Sequence, residues 1–224
     1  MAKQKTVFYC TSCGNESPKW AGRCAACGAW NTMQEHIEKP VAPGRAKSAP
    51  VGMSRIPKKL SQVDSGDEIR FLTGMGELDR VLGGGAVEGS LVLVGGAPGI
   101  GKSTLLLQVC HHLSKTGKRV LYVSGEESAR QIKMRAVRLH VRQDKLFVLA
   151  ENDVESILEK CEKMKPDVLI IDSIQTMYHN ESNTVPGSVT QIRECAGVFI
   201  GKAKTEGVSV ILVGHVNKEG SIAG

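Results

Sequence analysis

The sequence has few aromatic residues and no long apolar segment. Phe, Trp and Tyr together make up 4% of the 224 residues, so the hydrophobic core is expected to consist mainly of Val, Ile and Leu. No run of about 18 apolar residues occurs, which argues against a membrane-spanning helix. The first apolar stretch is also shorter than the ~7–15-residue core of a secretory signal peptide. We therefore expect a cytoplasmic protein that makes no membrane contact.

The chain is moderately basic and contains an odd number of cysteines. Its formal net charge is +6, and it has seven cysteines. In a reducing compartment, closely spaced cysteine pairs indicate metal binding rather than disulfides. The basic charge permits contact with nucleic acid, but it is equally consistent with an ordinary solvated surface.

Two Cys-x-x-Cys pairs lie near the N-terminus and predict a metal site. The pairs are Cys10 with Cys13 and Cys24 with Cys27. Each pair brings two sulfurs to one metal, and two pairs complete a tetrahedral Zn²⁺ site with Zn–S distances near ~2.3 Å. Because the protein supplies all four ligands, such a site is structural rather than catalytic. Unliganded cysteines or an iron–sulfur cluster are the alternatives.

Changes in composition predict three segments. Residues 1–33 form the zinc-binding module, which is too short to fold around a hydrophobic core without metal, and Trp20 and Trp30 are expected to cover the site. Residues 34–60 are rich in Pro, Ala, Gly, Lys and Arg, a composition typical of a flexible linker. Residues 61–224 are long enough for one sizeable core.

Strand-like apolar blocks alternate with segments of helical periodicity in this third segment. The predicted strands are 91–94, 119–124, 146–149, 168–172 and 208–213. The predicted helices begin at Lys102, after Ser128 with Gln131, after Asn152 with Glu155, and after Ser188 with Gln191. Alternating strands and helices imply right-handed crossovers, so the pattern predicts an α/β fold with a mostly parallel central sheet.

The first of these strands leads into a P-loop sequence. Its glycines allow the backbone to turn tightly and aim amide groups at phosphate oxygens. Lys102 is expected to neutralise the β- and γ-phosphates, Ser103 to ligate Mg²⁺ and Thr104 to contact the α-phosphate. The strand before it and the helix after it are the context that this motif requires, so the sequence predicts ATP binding and hydrolysis. The predicted phosphate-binding residues are Gly96, Ala97, Pro98, Gly99, Ile100, Gly101, Lys102, Ser103 and Thr104.

Polar residues follow three other strands, whose carboxyl ends are expected at the same edge of the sheet. Asp172 is predicted to hold Mg²⁺ through water. Glu126 is predicted to be the catalytic base and Glu127 to support it, although acids at a helix N-terminus are also favoured by the helix dipole. His215 is either a sensor of the γ-phosphate or an ordinary hydrogen-bonded residue.

Taken together, these motifs resemble those of the bacterial RadA (Sms) family over essentially the whole chain. The residues that carry the resemblance are 10–14, 19–24, 27–32, 73–85, 96–103, 124–128, 169–173 and 214–216. The resemblance implies a RecA-like ATPase core related to the KaiC group. It also implies homo-hexameric rings that bind single-stranded and branched DNA, cooperate with a recombinase, and use ATP for branch migration or unwinding in recombination and repair.

The resemblance further places DNA loops at about 178–187 and 217–224. The first loop contains no Lys or Arg, so Arg193, Lys202, Lys204 and Lys218 are the nearby candidates for contacts with the DNA backbone. Family members continue into a Lys-Asn-Arg-Phe-Gly motif and a Lon-protease-like domain, whereas this chain ends at Gly224. We therefore expect residues for ring contacts and for a trans-acting phosphate finger to be missing here.

Two other functions remain open at this stage. A KaiC-like signalling ATPase would use its nucleotide state to change the affinity for a protein partner, and the paired glutamates fit this function equally well. A zinc-containing adaptor with a decayed nucleotide site is the third possibility. The complete set of Lys102, Ser103, Asp172 and Glu126 argues against decay.

Overall fold

The computed structural model describes residues 5–11, 16–17, 19–25, 27–38, 59, 61, 69–141, 144–179 and 188–216. Its contacts divide the chain into two compact units, Met1–Glu68 and Ile69–Gly224. Most of the predicted linker, residues 34–60, lies outside the described residues, and so does residue 60 at its predicted end. The first residues of that linker, up to Glu38, belong to a strand.

The first unit contains a small antiparallel sheet. Its strands are β1 (Lys5–Cys10), β2 (Glu16–Ser17) and β3 (Met33–Glu38), in the order β2-β1-β3. The described apolar core consists of Cys10, Cys24 and Met33, with Phe8 packed against them. A core of this size is small for an independent fold, as expected for a unit that depends on metal.

The second unit is built on a parallel sheet of five strands. The strands are β6 (Leu91–Gly96), β7 (Val120–Ser124), β8 (Leu146–Ala150), β9 (Val168–Asp172) and β10 (Ser209–His215). Their order is β6-β10-β9-β7-β8, and all four neighbouring pairs are parallel. This sheet confirms the predicted α/β fold class. Before it, a short antiparallel pair is formed by β4 (Arg70–Phe71) and β5 (Ala86–Val87).

Helices cover both faces of this sheet. They are α1 (Gly76–Val81), α2 (Lys102–Lys115), α3 (Ala129–Arg138), α4 (Val154–Met164) and α5 (Val189–Glu206), with a 3-10 turn at Ile174–Thr176. Alternate residues of β9 point to opposite faces. Leu169 and Ile171 pack with α4 and α5, whereas Val168 and Ile170 pack with α2. The inner strands β7, β9 and β10 are therefore buried on both faces, as their continuous apolar sequences predict.

Three of the four predicted helix starts are confirmed, and one is wrong by a residue. The helix after the P-loop begins at Lys102, as predicted. Ser128 and Gln131 form a capping box, and the Ser188 side chain accepts a hydrogen bond from the Gln191 amide. The N-cap of α4 is Asp153, not Asn152. The Asn152 side-chain amide instead donates to the carbonyl oxygens of Gly125 and Thr176, at 3.2 and 3.3 Å. These two hydrogen bonds connect two neighbouring loops.

The described helices include none that combines the length and apolarity needed to cross a membrane. The three cysteines of the second unit lie in helices and are all buried; they are Cys110, Cys161 and Cys195.

Candidate nucleotide and metal sites

The P-loop connects β6 to α2 through glycines in left-handed conformations. Gly99 has φ +78° and Gly101 has φ +103°, which side chains with a Cβ rarely adopt. The space beside both glycines is open, since no heavy atom outside their chain neighbours lies within 4 Å of an added Cβ. Gly101 is the N-cap of α2 and provides no side-chain cap. The first amides of α2 therefore remain without a capping side chain at a position suited to phosphate oxygens.

Lys102 is held inside the loop that it follows. Its side chain is buried, and its Nζ donates to the carbonyl oxygens of Gly96 at 2.7 Å and Ala97 at 2.9 Å. These contacts position one positive charge at the centre of the loop. Such a charge, surrounded by backbone amides, favours an anion with several negatively charged oxygens.

A cavity of about 290 Å³ adjoins the P-loop and brings most of the predicted residues together. Its lining includes Glu126, Glu127, Asp172 and His215 together with P-loop residues. The strand register explains this convergence, because Ser124 is aligned with Asp172 and His215 with Gly96 at the carboxyl edge of the sheet. Ile100 does not line the cavity and is exposed.

Asp172 is buried at the end of β9 and has a tyrosine partner. The Tyr122 hydroxyl donates a hydrogen bond to Asp172 Oδ2. Burial raises the pKa of Tyr122 well above its usual value, and the nearby Asp172 carboxylate raises it further. Tyr122 therefore stays protonated, and its hydroxyl orients the Asp172 carboxylate by donating a hydrogen bond to it. Ser103 has a smaller, opposite effect on the pKa of Tyr122, and it lines the same cavity as Asp172.

The two glutamates have different partners. Glu126 Oε1 accepts a hydrogen bond of 2.6 Å from Ser173 Oγ and lies 3.4 Å from His215 Nε2. Glu127 Oε1 forms an ion pair with Arg135. Glu126 is thus directed toward the residue that follows Asp172, whereas Glu127 is directed toward α3.

Three residues of this site escaped the sequence analysis. Tyr122 lies within a buried strand, where it resembles any core aromatic residue. Arg135 is in the last turn of α3, eight positions after its partner, so spacing along the helix gives no signal. Ser173 directly follows Asp172 at a strand end, and this position is a signal that could have identified it.

The cysteines of the first unit form a candidate metal centre. The sulfurs of Cys10, Cys24 and Cys27 lie within 4.8 Å of one another, and Cys13 lies outside the described residues. The Cys10 and Cys27 sulfurs are 3.7 Å apart, and Cys10 Sγ donates to Thr32 Oγ1 at 3.1 Å. Clustered thiols at this spacing fit a tetrahedral Zn²⁺ ion.

The expectation that tryptophans cover this centre is wrong. Trp20 is 61% exposed and Trp30 is 70% exposed. The described cover comes from Met33 and Phe8, which pack against the cysteines. For Trp30, the backbone bridge with Arg23 places the indole beside the Arg23 guanidinium group instead of over the cysteines.

One of the predicted DNA-contacting lysines is also placed differently. The Lys202 side chain is 4% exposed, and its Nζ forms a 2.7 Å ion pair with Glu206. The Lys202 ammonium group is therefore already paired with a glutamate of the same helix, α5. Arg193 and Lys204 are exposed, whereas Lys218 and nearly all of both predicted DNA loops lie outside the described residues.

Comparison with known proteins identifies the family. A family model described as an AAA domain matches residues 58–221, and one described as a rubredoxin metal binding domain matches residues 8–35. The DNA repair protein RadA of Bacillus subtilis (strain 168) is 52% identical over 226 residues, which cover 100% of this chain and 49% of that protein. RadA of Pseudomonas aeruginosa is 48% identical, with 100% and 49% covered, and RadA of Synechocystis is 44% identical, with 100% and 50% covered.

The chain thus spans about half the length of the curated relatives it matches. The AAA domain match covers most of the second unit and includes every residue of the candidate nucleotide site. The metal-domain match includes all four cysteines of the two pairs and agrees with a zinc ribbon. The chain therefore belongs to the AAA domain family, and its similarity to bacterial RadA proteins extends along its full length.

Proposed function

We propose that this chain is the ATP-hydrolysing part of a DNA-dependent motor that acts in homologous recombination and repair. The observation that carries the proposal is the cavity in which Lys102, Asp172 and Glu126 converge beside an uncapped helix N-terminus. Each of these groups has a chemical task in phosphoryl transfer to water, and no other described cavity of the chain combines them.

The binding step is assigned to the P-loop and its lysine. The amides of residues 99–104 are proposed to bind the phosphate oxygens, and Lys102 to neutralise part of their charge. Mg²⁺ bound with ATP would supply positive charge that stabilises the phosphates. Ser103 and Asp172 would hold this ion, since both offer oxygen ligands to the same cavity.

The hydrolytic step is assigned to Glu126. Its carboxylate is proposed to orient the attacking water and accept its proton. Ser173 holds this carboxylate through Oε1, and His215 approaches the same oxygen. Because His215 ends the strand next to the P-loop strand, it is the proposed link between the γ-phosphate and the loop that follows.

The DNA role rests on the relatives and on the charge of the chain. Relatives whose alignment covers the whole of this chain are named DNA repair proteins. The formal net charge of the chain is +6. We propose single-stranded and branched DNA as the nucleic-acid partners, a recombinase as the protein partner, a homo-hexameric ring as the assembly, and branch migration or unwinding as the output.

Steady-state ATP hydrolysis by the natural full-length protein, with and without single-stranded DNA, tests this proposal. We expect Mg²⁺-dependent hydrolysis that DNA accelerates at low salt and accelerates less as salt rises, because phosphate contacts release counterions. The Lys102→Ala variant is the control, since it should lose turnover in both conditions. Hydrolysis that is indifferent to DNA at low salt would contradict the motor function. It would favour the KaiC-like alternative if nucleotide then altered binding of a protein partner.

A further inference from the structure

Both tryptophans of the chain lie in the first unit, and both are exposed. Trp20 is 61% exposed and Trp30 is 70% exposed. Burying an indole stabilises a small fold more than burying most other side chains does, because its apolar area is large. This unit has only a few described core residues, yet it leaves its two largest side chains in solvent. Two indoles exposed on one small unit offer a large aromatic area to a partner.

The Trp30 side chain has a defined neighbour, the guanidinium group of Arg23. Arg23 and Trp30 face each other in an antiparallel bridge, and the Arg23 guanidinium carbon lies 5.8 Å from the centre of the indole ring. Arg23 Nε also donates to the Gly28 carbonyl at 3.0 Å. Backbone hydrogen bonds from Cys24 to Ala29 at 2.9 Å and from Asn31 to Gly22 at 2.8 Å complete this hairpin. The guanidinium is therefore fixed beside the ring before any partner binds.

The hairpin that carries this pair is free of acidic residues. Between Glu16 and Glu35 the sequence contains no Asp or Glu, while Lys19 and Arg23 are both exposed. The neighbours of Trp30 along the chain are small or polar, namely Ala29 and Asn31. A protein-binding hot spot is usually an aromatic residue within other apolar side chains. An exposed indole beside a guanidinium group is better suited to a flat base with adjoining phosphates.

We propose that Trp30 and Arg23 form a stacking platform on which the zinc ribbon binds an unpaired base of single-stranded DNA. The indole stacks on the base, Arg23 supports it through its cation–π contact, and Lys19 and Arg23 contact the flanking phosphates. This inference rests on the DNA-binding part of the proposed function. It adds a second DNA contact, outside the ATPase core, to the loops that the family resemblance implies.

Tryptophan fluorescence tests the platform directly, because the chain has only two indoles. In the Trp20→Phe variant of this chain, all tryptophan emission comes from Trp30, and in Trp30→Phe it comes from Trp20. Each variant is titrated with a thymidine oligonucleotide and with an abasic strand of equal length. We expect the oligonucleotide to quench Trp30 and the abasic strand to leave it nearly unchanged, since only the former can stack. Trp20 emission should respond much less.

Oligonucleotide affinity, measured by anisotropy at fixed salt, provides the second readout. Trp30→Ala should bind at least about fivefold more weakly, whereas Trp30→Phe should stay near the wild type because a phenyl ring still stacks. Arg23→Gln should weaken binding and reduce the slope of log affinity against log salt by about one. Equal zinc content in all variants shows that the ribbon has kept its fold.

The outcomes separate the platform from the wider function. Oligonucleotide binding with unquenched Trp30 and an unaffected Trp30→Ala variant would overturn the platform and leave the DNA-dependent function intact. Failure of every variant and of the wild type to bind DNA would overturn both. Loss of recombinase binding in Trp30→Ala, with unchanged DNA affinity, would assign the surface to a protein and also contradict the platform.

Discussion

At the scale of single residues, the paired glutamates show how neighbours of the same type can differ in role. Glu126 meets Ser173 and His215, both at strand ends that face the cavity. Glu127 is engaged by Arg135 of α3. The ion pair with Arg135 directs the Glu127 carboxylate toward α3 rather than toward the strand ends. Geometry therefore favours Glu126 for the chemical step.

Replacement of each glutamate by glutamine tests this assignment. Glu126→Gln should bind ATP with nearly unchanged affinity and lose about 10²- to 10⁴-fold in kcat, because only the base is removed. Glu127→Gln should lose far less, since its main contact is the ion pair. Calorimetric ATP affinity and steady-state kcat are the measurements. An inactive Glu127→Gln beside an active Glu126→Gln would reverse the assignment.

Ser173 is a positioning residue whose effect is predicted to pass through Glu126. Ser173→Ala removes the 2.6 Å hydrogen bond to Oε1 and should lower kcat about tenfold while KM for ATP stays unchanged. Ser173→Thr keeps a hydroxyl at this position and should restore most of the turnover. In the Glu126→Gln background, Ser173→Ala should have little further effect. Additive losses in the double variant would show that Ser173 acts independently of Glu126.

At the scale of elements, the sequence predicted most where chemistry and periodicity coincide. The start of α2 at Lys102 follows from the P-loop sequence, which requires a helix directly after it. The N-cap of α4 was misassigned because Asn152 and Asp153 are both good caps, and only the neighbouring loops decide between them. The Arg135 contact and the Trp30 exposure depend on tertiary geometry, which local patterns do not contain.

The N-terminus of α3 should contribute measurably to stability. The Ser128 side chain accepts a hydrogen bond from the Gln131 backbone amide, and the Gln131 side-chain oxygen accepts one from the Ser128 backbone amide. Ser128→Ala should lower the free energy of unfolding by about 1 kcal/mol. Urea unfolding of the second unit measures this loss. Ser128→Asp is the matched control and should remain near the wild type, because aspartate caps helices as well as serine does. Equal destabilisation by both variants would point to a cause other than the cap.

At the scale of the whole molecule, the two units differ in what can hold them together. The second unit has apolar clusters on both faces of its sheet. The described core of the first unit is limited to Cys10, Cys24, Met33 and the adjoining Phe8. We therefore predict that metal–thiolate bonds contribute much of the stability of the first unit. Loss of metal is therefore predicted to unfold the first unit and to leave the second unit folded.

Thiol labelling at pH 8 distinguishes the two sets of cysteines. Burial raises the pKa of Cys161 and of Cys195 to about 11, and it raises that of Cys110 still further. Because burial disfavours the charged thiolate, the reactive fraction at pH 8 is only about one in a thousand at Cys161 and Cys195. These thiols should stay unlabelled whether or not metal is present, and labelling should increase as pH approaches 11. The four cysteines of the pairs should react only after a chelator removes the metal.

The Cys24→Ser variant makes the same prediction without a chelator. It removes one of four proposed ligands from a buried position, so the variant should lose its zinc and the fold of the first unit. ATP affinity should change by less than about twofold, because every residue of the nucleotide cavity belongs to the second unit. Metal analysis of the wild type should give one zinc per chain, and iron in its place would contradict the assignment. Loss of ATP binding in Cys24→Ser, with an unchanged unfolding transition of the second unit, would show that the ribbon takes part in the nucleotide site.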